Sequence, residues 1–468
     1  MKKGFFAKAA LLTAGLAMAV SLGRVLPVSA AAQPEVSPKV AAAGEKTKIT
    51  VWTKDRHDQE LMQAICDRLN REYGDMEVVY EMYTDNYPQV VEIAASTGEL
   101  PDVLVLQQQV LDSLLPRDMF YSLDDLMPED FRARFDDSLF MEGINMKDGK
   151  IFSLPNTGVA LRLVYNKDIF ERVGLPGPPE TVQQMAEYAK KITKELSGEG
   201  IYGFALPLKN PTSGLSRGVR SIPQLSGYPV WEGFDFAQGK YDWSSYKPAV
   251  EALTDIFSSG AAFPGCESLD IDPLRTQFAD GKIGMYMTYS HSEWGVFTNQ
   301  FPTEQDWGYA LLPTYDGEIK GSQWVETGFW YAITSACKDP QKAWRVIEAF
   351  YDKENQVEYY EKGLGVTVLK DVQDASDAPE SIEYLPFMAI QPTDKMWPLT
   401  PTALTIEGDD WGTVFGSLIF GARNDIDAAI EELNERYNAA YEKGIEDGTH
   451  TPIHYPNFKA SDPITTAQ

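Results

Sequence analysis

The side chains with which this chain could do covalent or acid–base chemistry are the adjacent carboxylates Asp409 and Asp410, four histidines and three cysteines. Their spacing argues against an active site. Glycoside hydrolysis needs two carboxylates flanking a bond, and among 69 acidic residues chance pairs are inevitable; Asp409 and Asp410 read more simply as a helix-start cluster. Neither a Gly-x-Ser-x-Gly elbow nor a His-Glu-x-x-His pattern occurs. His57 and His291 fall near loops that could touch a ligand, yet neither has a metal partner in sequence. Cys66, Cys266 and Cys337 are far apart and lack metal-ligand spacing. Cys66, in LMQAICDRL, occupies the apolar face of a helix and reads as an inert core residue, while the sequence leaves a Cys266–Cys337 disulfide open. With no EF-hand spacing either, no metal and no cofactor are expected.

Recognition chemistry is better represented. Only Trp52 of the ten tryptophans precedes residue 230, so nine are concentrated in the second half. Sugars present flat patches of C–H above polar hydroxyl edges, which an aromatic face ringed by a few polar groups matches. Net charge is −28. A polyanionic surface without a basic stripe repels phosphate backbones, so nucleic acid is excluded as a partner.

The elements that must position these residues begin after an export signal. Lys2, Lys3 and Lys8 precede an apolar run from Ala9 to Gly23, with small residues around Ala30. This is the pattern of a secretory signal peptide over 1–30, and the run is too short for the roughly 20 apolar residues of a membrane span. Cleavage would remove four bases and no acids, moving the net charge from −28 to −32. The protein is therefore expected outside the cytoplasm, periplasmic or secreted. Residues 31–45 form a Pro/Ala-rich tether. The chain beyond the tether exceeds the size at which single cores stop growing, so two domains are expected.

KITVWT alternates as a strand, HDQELMQAICDRLNREYG comes next with Leu61, Ile65 and Leu69 at helical spacing, and MEVVYEMY, YPQVVEIAAS and PDVLVLQ continue as strand, helix and strand. Strands alternating with helices imply a mainly parallel α/β sheet, whose ligands sit beyond the carboxyl ends of the strands. That rule selects Lys54, Asp55 and Arg56, then Tyr83, then Gln107 and Gln108 as a first pocket wall. Further on, LRLVY is a strand and NKDIFERVG a short helix, capped by Asn166 and stopped by Gly174. Thr181 then begins a second helix with Gln184 at capping-box spacing. The last helix, DIDAAIEELNERYNAAYEKG, is expected to stop at Gly444.

VYNKDIFERVGLPGPPETVQQMAEYAKKI resembles a segment of the extracellular solute-binding proteins that serve ABC importers of sugars, the maltodextrin-binding type. DGKIFSLP, GKYDWSSYKPAVEAL, FADGKIGMYMTYSHSEW, YALLPTYDG and GFWYAITSACKDPQKAWRVIEAF resemble further segments in the family's order, across most of 47–445. The resemblance implies an α/β, two-lobed, type II periplasmic-binding-protein-like fold with a ligand cleft between lobes joined by hinge crossings. Lobe one would be 46–156 plus 326–370, lobe two 157–325 plus 371–455, and 456–468 a tail. It also implies an oligosaccharide ligand, ABC transporter permease subunits as partners, a monomer, and no enzymatic activity.

Trp294 matches the family's stacking aromatic, and Trp411 with Asp410 falls near its carboxyl-terminal one. Asp55 and Gln108 follow lobe-one strands where the family places hydroxyl-binding side chains, and Asn156 stands where members carry an acid after the hinge, which weighs against maltodextrin in particular. Trp330 begins the returning strand, while Trp324 and Glu326 sit at the crossing. Each of these tryptophans has a core reading beside the ligand one; Trp344 and Trp52 read as structural. Arg56, Arg217, Arg220 and Arg275 could read a uronate but are expected as surface charges. Two other readings stay open: a secreted glycoside hydrolase or lyase, and the same fold binding a non-sugar solute.

Overall fold

The computed structural model describes residues 46–83, 86–327, 330–377, 379–401 and 404–467. The signal peptide and tether predicted over 1–45 lie outside the described residues. Among the described residues no helix is long and apolar enough to cross a membrane.

Strand β1 (Thr47–Thr53), helix α1 (Gln59–Glu72), strand β2 (Met76–Met82), helix α2 (Tyr87–Thr97) and strand β3 (Val103–Val105) agree with the sequence reading. β1 pairs in parallel with both β2 and β3, with Val51 opposite Val103. Leu61, Met62, Ile65, Cys66 and Leu69 turn one face of α1 onto this sheet. The chain then makes a first short crossing strand, β4 (Gly158–Val159), and enters a second sheet as β5 (Leu161–Asn166).

Asn166 caps α3 (Lys167–Arg172) by accepting from the Ile169 amide, and Gly174 follows at φ 64°, a left-handed conformation that favours glycine. Thr181 caps α4 (Val182–Leu196), accepting from Gln184 N–H. The Gln184 carboxamide reaches back to the Glu180 amide, one residue before the cap. α4 lies against β6 (Tyr202–Ala205) so closely that a Cβ on Gly203 would stand 2.2 Å from the Ala189 carbonyl oxygen.

Helix α5 (Lys247–Ser258), strand β7 (Ile283–Tyr289) and strand β8 (Trp307–Ala310) complete this layer. The sheet order is β8-β5-β7-β6. β7 is parallel to β6, but β5 runs antiparallel to both β7 and β8. This second sheet is thus mixed, whereas β1, β2 and β3 of the first pair in parallel as expected; β5 arrives from the crossing rather than from a strand–helix unit. Period-two alternation divides its residues: Leu163, Met285 and Met287 face one core, and Val164 and Tyr286 the other.

The chain returns through β9 (Gln323–Trp324) and β10 (Glu326–Thr327) to β11 (Tyr331–Ile333), which joins the first sheet antiparallel to β3. β10 pairs with β4, setting Glu326 opposite Val159, so the two crossings lie side by side. Helices α6 (Pro340–Phe350) and α7 (Lys353–Glu361) pack with the first core; β12 (Asp394–Lys395), α8 (Trp411–Ile419) and α9 (Ile426–Glu446) come after them. α9 passes through the expected stop at Gly444 to Glu446, with Gly448 at φ 80° beyond it; Gly444 serves close approach, since a Cβ there would meet His450 at 2.2 Å. Residues after 455 carry buried Phe458 and Ala460, and Ser322 N–H donates to the Ala460 carbonyl. The three cysteines are free thiols, so Cys266 and Cys337 do not pair. Cys66 is buried as expected, and burial pushes its thiol up to about 12.

One ion pair binds the second sheet to the crossings. Arg162 on β5 and Asp394 on β12 have fully buried side chains. Two guanidinium nitrogens donate to the two carboxylate oxygens at 2.5 and 3.2 Å, and the rest of the fork donates to the carbonyls of Phe387, Leu161 and Ala389. Gln323 Nε2 and the Gln391 amide complete the Asp394 shell. Removing one partner leaves an uncompensated buried charge, so Arg162→Met should lower stability by roughly 3–5 kcal/mol. Arg162→Met/Asp394→Leu should regain most of it; urea unfolding of both variants checks this.

Candidate functional site

The carboxyl ends of β1 and β7 and the paired crossings converge on a cleft of about 380 Å³. Lys54, Asp55 and His57 follow β1; Asn156, Thr157 and Val159 come from the first crossing; Tyr289 and His291 end β7; Glu326 and Trp330 come from the return. Tyr359 on α7, the loop Gly363–Val366 and Met388 close the remaining wall. A roomier hollow of about 600 Å³ lies among α5, α8 and α9, but it gathers residues of one layer only. The cleft collects strand ends from both sheets, where α/β folds hold ligands.

Asp55 accepts from Lys54 Nζ at 2.7 Å, and its amide donates to Thr53 Oγ1 at 3.1 Å. Tyr359 O–H donates to Asp58 Oδ2 at 3.3 Å and stands 3.1 Å from His57 Nε2. Asp58 is 1 % exposed and its Oδ1 has no partner among the described residues. Burial raises its pKa from the ordinary 3.8 to about 6, against the opposing pull of His57. Burial likewise raises Glu326, with Arg220 working in the opposite direction. His291 is open to cleft water yet crowded by protein, and that desolvation, with Arg275, His57 and Arg217 nearby, holds its pKa low and its imidazole neutral at pH 7.

Of the residues anticipated from sequence, Asp55, Asn156, Glu326 and Trp330 line the cleft, together with Lys54. The others, Arg56 and Gln107 included, are not in its lining. Tyr83 rests on Trp52, with centroids 4.7 Å apart, while Trp52 Nε1 donates to Glu81 at 2.7 Å. Gln108 is exposed and donates to Asp112. Trp294 is half-buried against Tyr384, centroids 5.9 Å apart. Trp324 stacks on Trp231 at 4.9 Å with Arg220 over its ring at 4.6 Å. Trp411 is buried and stacks on Trp243 at 5.4 Å, and Asp410 caps α8 by accepting from the Thr413 amide and Thr212 Oγ1. These aromatic faces are occupied by protein. Trp344, expected as structural, is in the first core.

Tyr289, Tyr359 and Met388 escaped the sequence reading. The rule that ligands sit at strand carboxyl ends, applied to the second sheet, would have selected Tyr289; Tyr359 carries no local signal on its helix. Three of the arginines expected as surface charges are substantially buried instead. Arg217 bonds Thr288 at 3.3 Å and lies over Tyr289 at 5.4 Å. Arg220 is 8 % exposed and pairs with Glu232, and Arg275 makes a two-nitrogen fork onto buried Glu293. Arg56 alone of the four is exposed. Among the described residues no group of three or more His, Cys, Asp or Glu side chains is placed to hold a metal ion.

The sequence pattern of the bacterial extracellular solute-binding proteins matches residues 64–386, more than half of the chain. The chain belongs to that family. The family's binding proteins share its two-lobed architecture: a cyclic α-maltosyl-1,6-maltose binding protein from Arthrobacter globiformis superposes with a TM-score of 0.67, at 19% identity, over 86% of this chain and all of that one. A Brucella abortus (strain 2308) protein, described only as a binding protein, is 24% identical over 356 residues, 74% of this chain and 81% of that relative. The sn-glycerol-3-phosphate-binding periplasmic protein UgpB of Pectobacterium atrosepticum is 26% identical over 208 residues, 42% and 43% of the two chains.

In this solute-binding protein the folded state holds the Asp58 proton to higher pH than an unfolded chain does. Its contribution to stability is therefore fullest below about pH 4 and is lost as pH rises through about 6. Asp58→Asn keeps an acceptor for Tyr359 without the buried charge. Relative to wild type it should gain roughly 2–3 kcal/mol between pH 4.5 and 7.5, read from urea midpoints across that range.

Proposed function

We propose that this protein is an extracytoplasmic receptor that closes on an oligosaccharide and delivers it to an ABC transporter permease, acting as a monomer and catalysing no reaction. The observation that carries this reading is the composition of the cleft. The half-buried ring of Tyr289 stands among the hydrogen-bonding groups of Asp55, Asn156 and Glu326, and buried Trp330 and Tyr359 complete the aromatic part of the lining. Aromatic faces suit the C–H patches of a pyranose, and carboxylate and amide edges suit its hydroxyls. Similarity to the Arthrobacter sugar-binding protein supports the same class.

On this reading lobe one comprises 46–156 plus 326–370 and lobe two 157–325 plus the residues from 371 onward. Closure turns on the paired crossings β4 and β10. Export follows from the signal peptide over 1–30. A second reading, a phosphorylated polyol as ligand, is favoured by the similarity to UgpB.

Isothermal titration against neutral, amine-bearing and acidic oligosaccharides should give saturable binding to at least one class. Tyr289→Ala should weaken it by about tenfold or more through loss of an aromatic contact. Trp294→Ala should leave it unchanged, because that ring rests on Tyr384. A folded protein that is silent toward every sugar but binds sn-glycerol 3-phosphate would replace the first reading with the second.

A further inference from the structure

Besides Tyr289 and Tyr359, the ionisable side chains lining the cleft are Lys54, Asp55, His57, His291 and Glu326. Lys54 and Asp55 neutralise each other at 2.7 Å, and His291 is held neutral. Among the described residues Glu326 has no ion-pair partner, and His57 is engaged with Tyr359 and Asp58. Its carboxylate accepts no hydrogen bond from the described residues, and the cation it feels, Arg220, is committed to Glu232 at 3.2 Å and to the ring of Trp324. Just behind the opposite wall, buried Asp58 has a carboxylate oxygen with no partner among the described residues, and both groups it meets, His57 and Tyr359, line the cleft. Among the described residues the lining contains no arginine and no lysine free of a carboxylate.

A half-buried carboxylate gains most from a ligand cation, since opposite charges at close range in a low-dielectric cleft interact far more strongly than in water. The same field repels a phosphate or a uronate. The half-buried ring of Tyr289 lines the same cleft, and a sugar ammonium can lie over such a ring as well as beside a carboxylate. Arg217, over the Tyr289 ring, is the group that would serve an anionic ligand, but it does not line the cleft.

From this arrangement we infer that the ligand is an oligosaccharide bearing a protonated amine, with Glu326 as the residue that selects it. This rests on the oligosaccharide reading above. The test is isothermal titration at pH 7 with glucosamine oligomers, the same oligomers N-acetylated, neutral cello- and malto-oligosaccharides, and galacturonate oligomers. Wild type and Glu326→Gln are compared, with circular dichroism reporting that the variant is folded. The free-amine oligomers should bind at least about tenfold more tightly than their N-acetylated counterparts. That preference should shrink as salt rises and disappear in Glu326→Gln. Equal affinity for neutral and amine-bearing sugars, a preference for galacturonate, or a preference that survives Glu326→Gln would overturn the inference while leaving the oligosaccharide reading intact. Failure of every sugar to bind would remove both.

Discussion

The buried pair of Arg162 and Asp394 is the constraint on which the rest of the site depends. Two full charges at zero exposure persist only when every remaining donor and acceptor is satisfied, and here the partners come from distant parts of the chain. They include the carbonyls of 387 and 389, the side chain of Gln323 and the amide of Gln391. Satisfying one pair therefore fixes β5, the return crossing and the segment that carries Met388 into the cleft wall. The alternative arrangements of these segments would each strand a charge.

From that knot the two sheets diverge, and the cleft is what remains between their strand ends. The first sheet contributes the short polar turn after β1, in which Lys54 and Asp55 satisfy each other and Asp58 is drawn under Tyr359. The second contributes Tyr289 and His291 from the end of β7. The crossings supply the floor, where pairing of β4 with β10 places Glu326 opposite Val159, and Asn156 and Thr157 line the same cleft. Each wall is rigid because its supporting core is large and closely packed. Two half-satisfied carboxylates, Glu326 and Asp58, lie at or just behind the cleft, where a ligand could satisfy them.

The strands and helices of the first sheet, the capped helices after Asn166 and Thr181, and the inert setting of Cys66 were all legible in local pattern. Periodicity and capping act within one or two turns, so no distant contact can disguise them. The site was half legible. Asp55 and Asn156 were found because a strand end or crossing sets their position directly, and Glu326 and Trp330 because the resemblance located the return. Trp294, Trp324 and Trp411 each carried a core reading beside the ligand one, since whether a ring meets ligand or protein depends on which element packs over it. Trp243 covers Trp411, and Trp231 with Arg220 occupies Trp324.

Sequence by itself determined the class of this protein: an acidic chain with an α/β repertoire, no catalytic motif, and an ordered set of segments shared with the solute-binding proteins. Tertiary structure alone decided which carboxylates are compensated. The pairing of Arg220 with Glu232, of Arg275 with Glu293 and of Arg162 with Asp394 joins residues 12, 18 and 232 positions apart. Coulomb energy depends on distance and burial, neither of which a linear sequence carries. The same three pairings remove three arginines from the reckoning and leave Glu326 as the unmatched charge in the cleft.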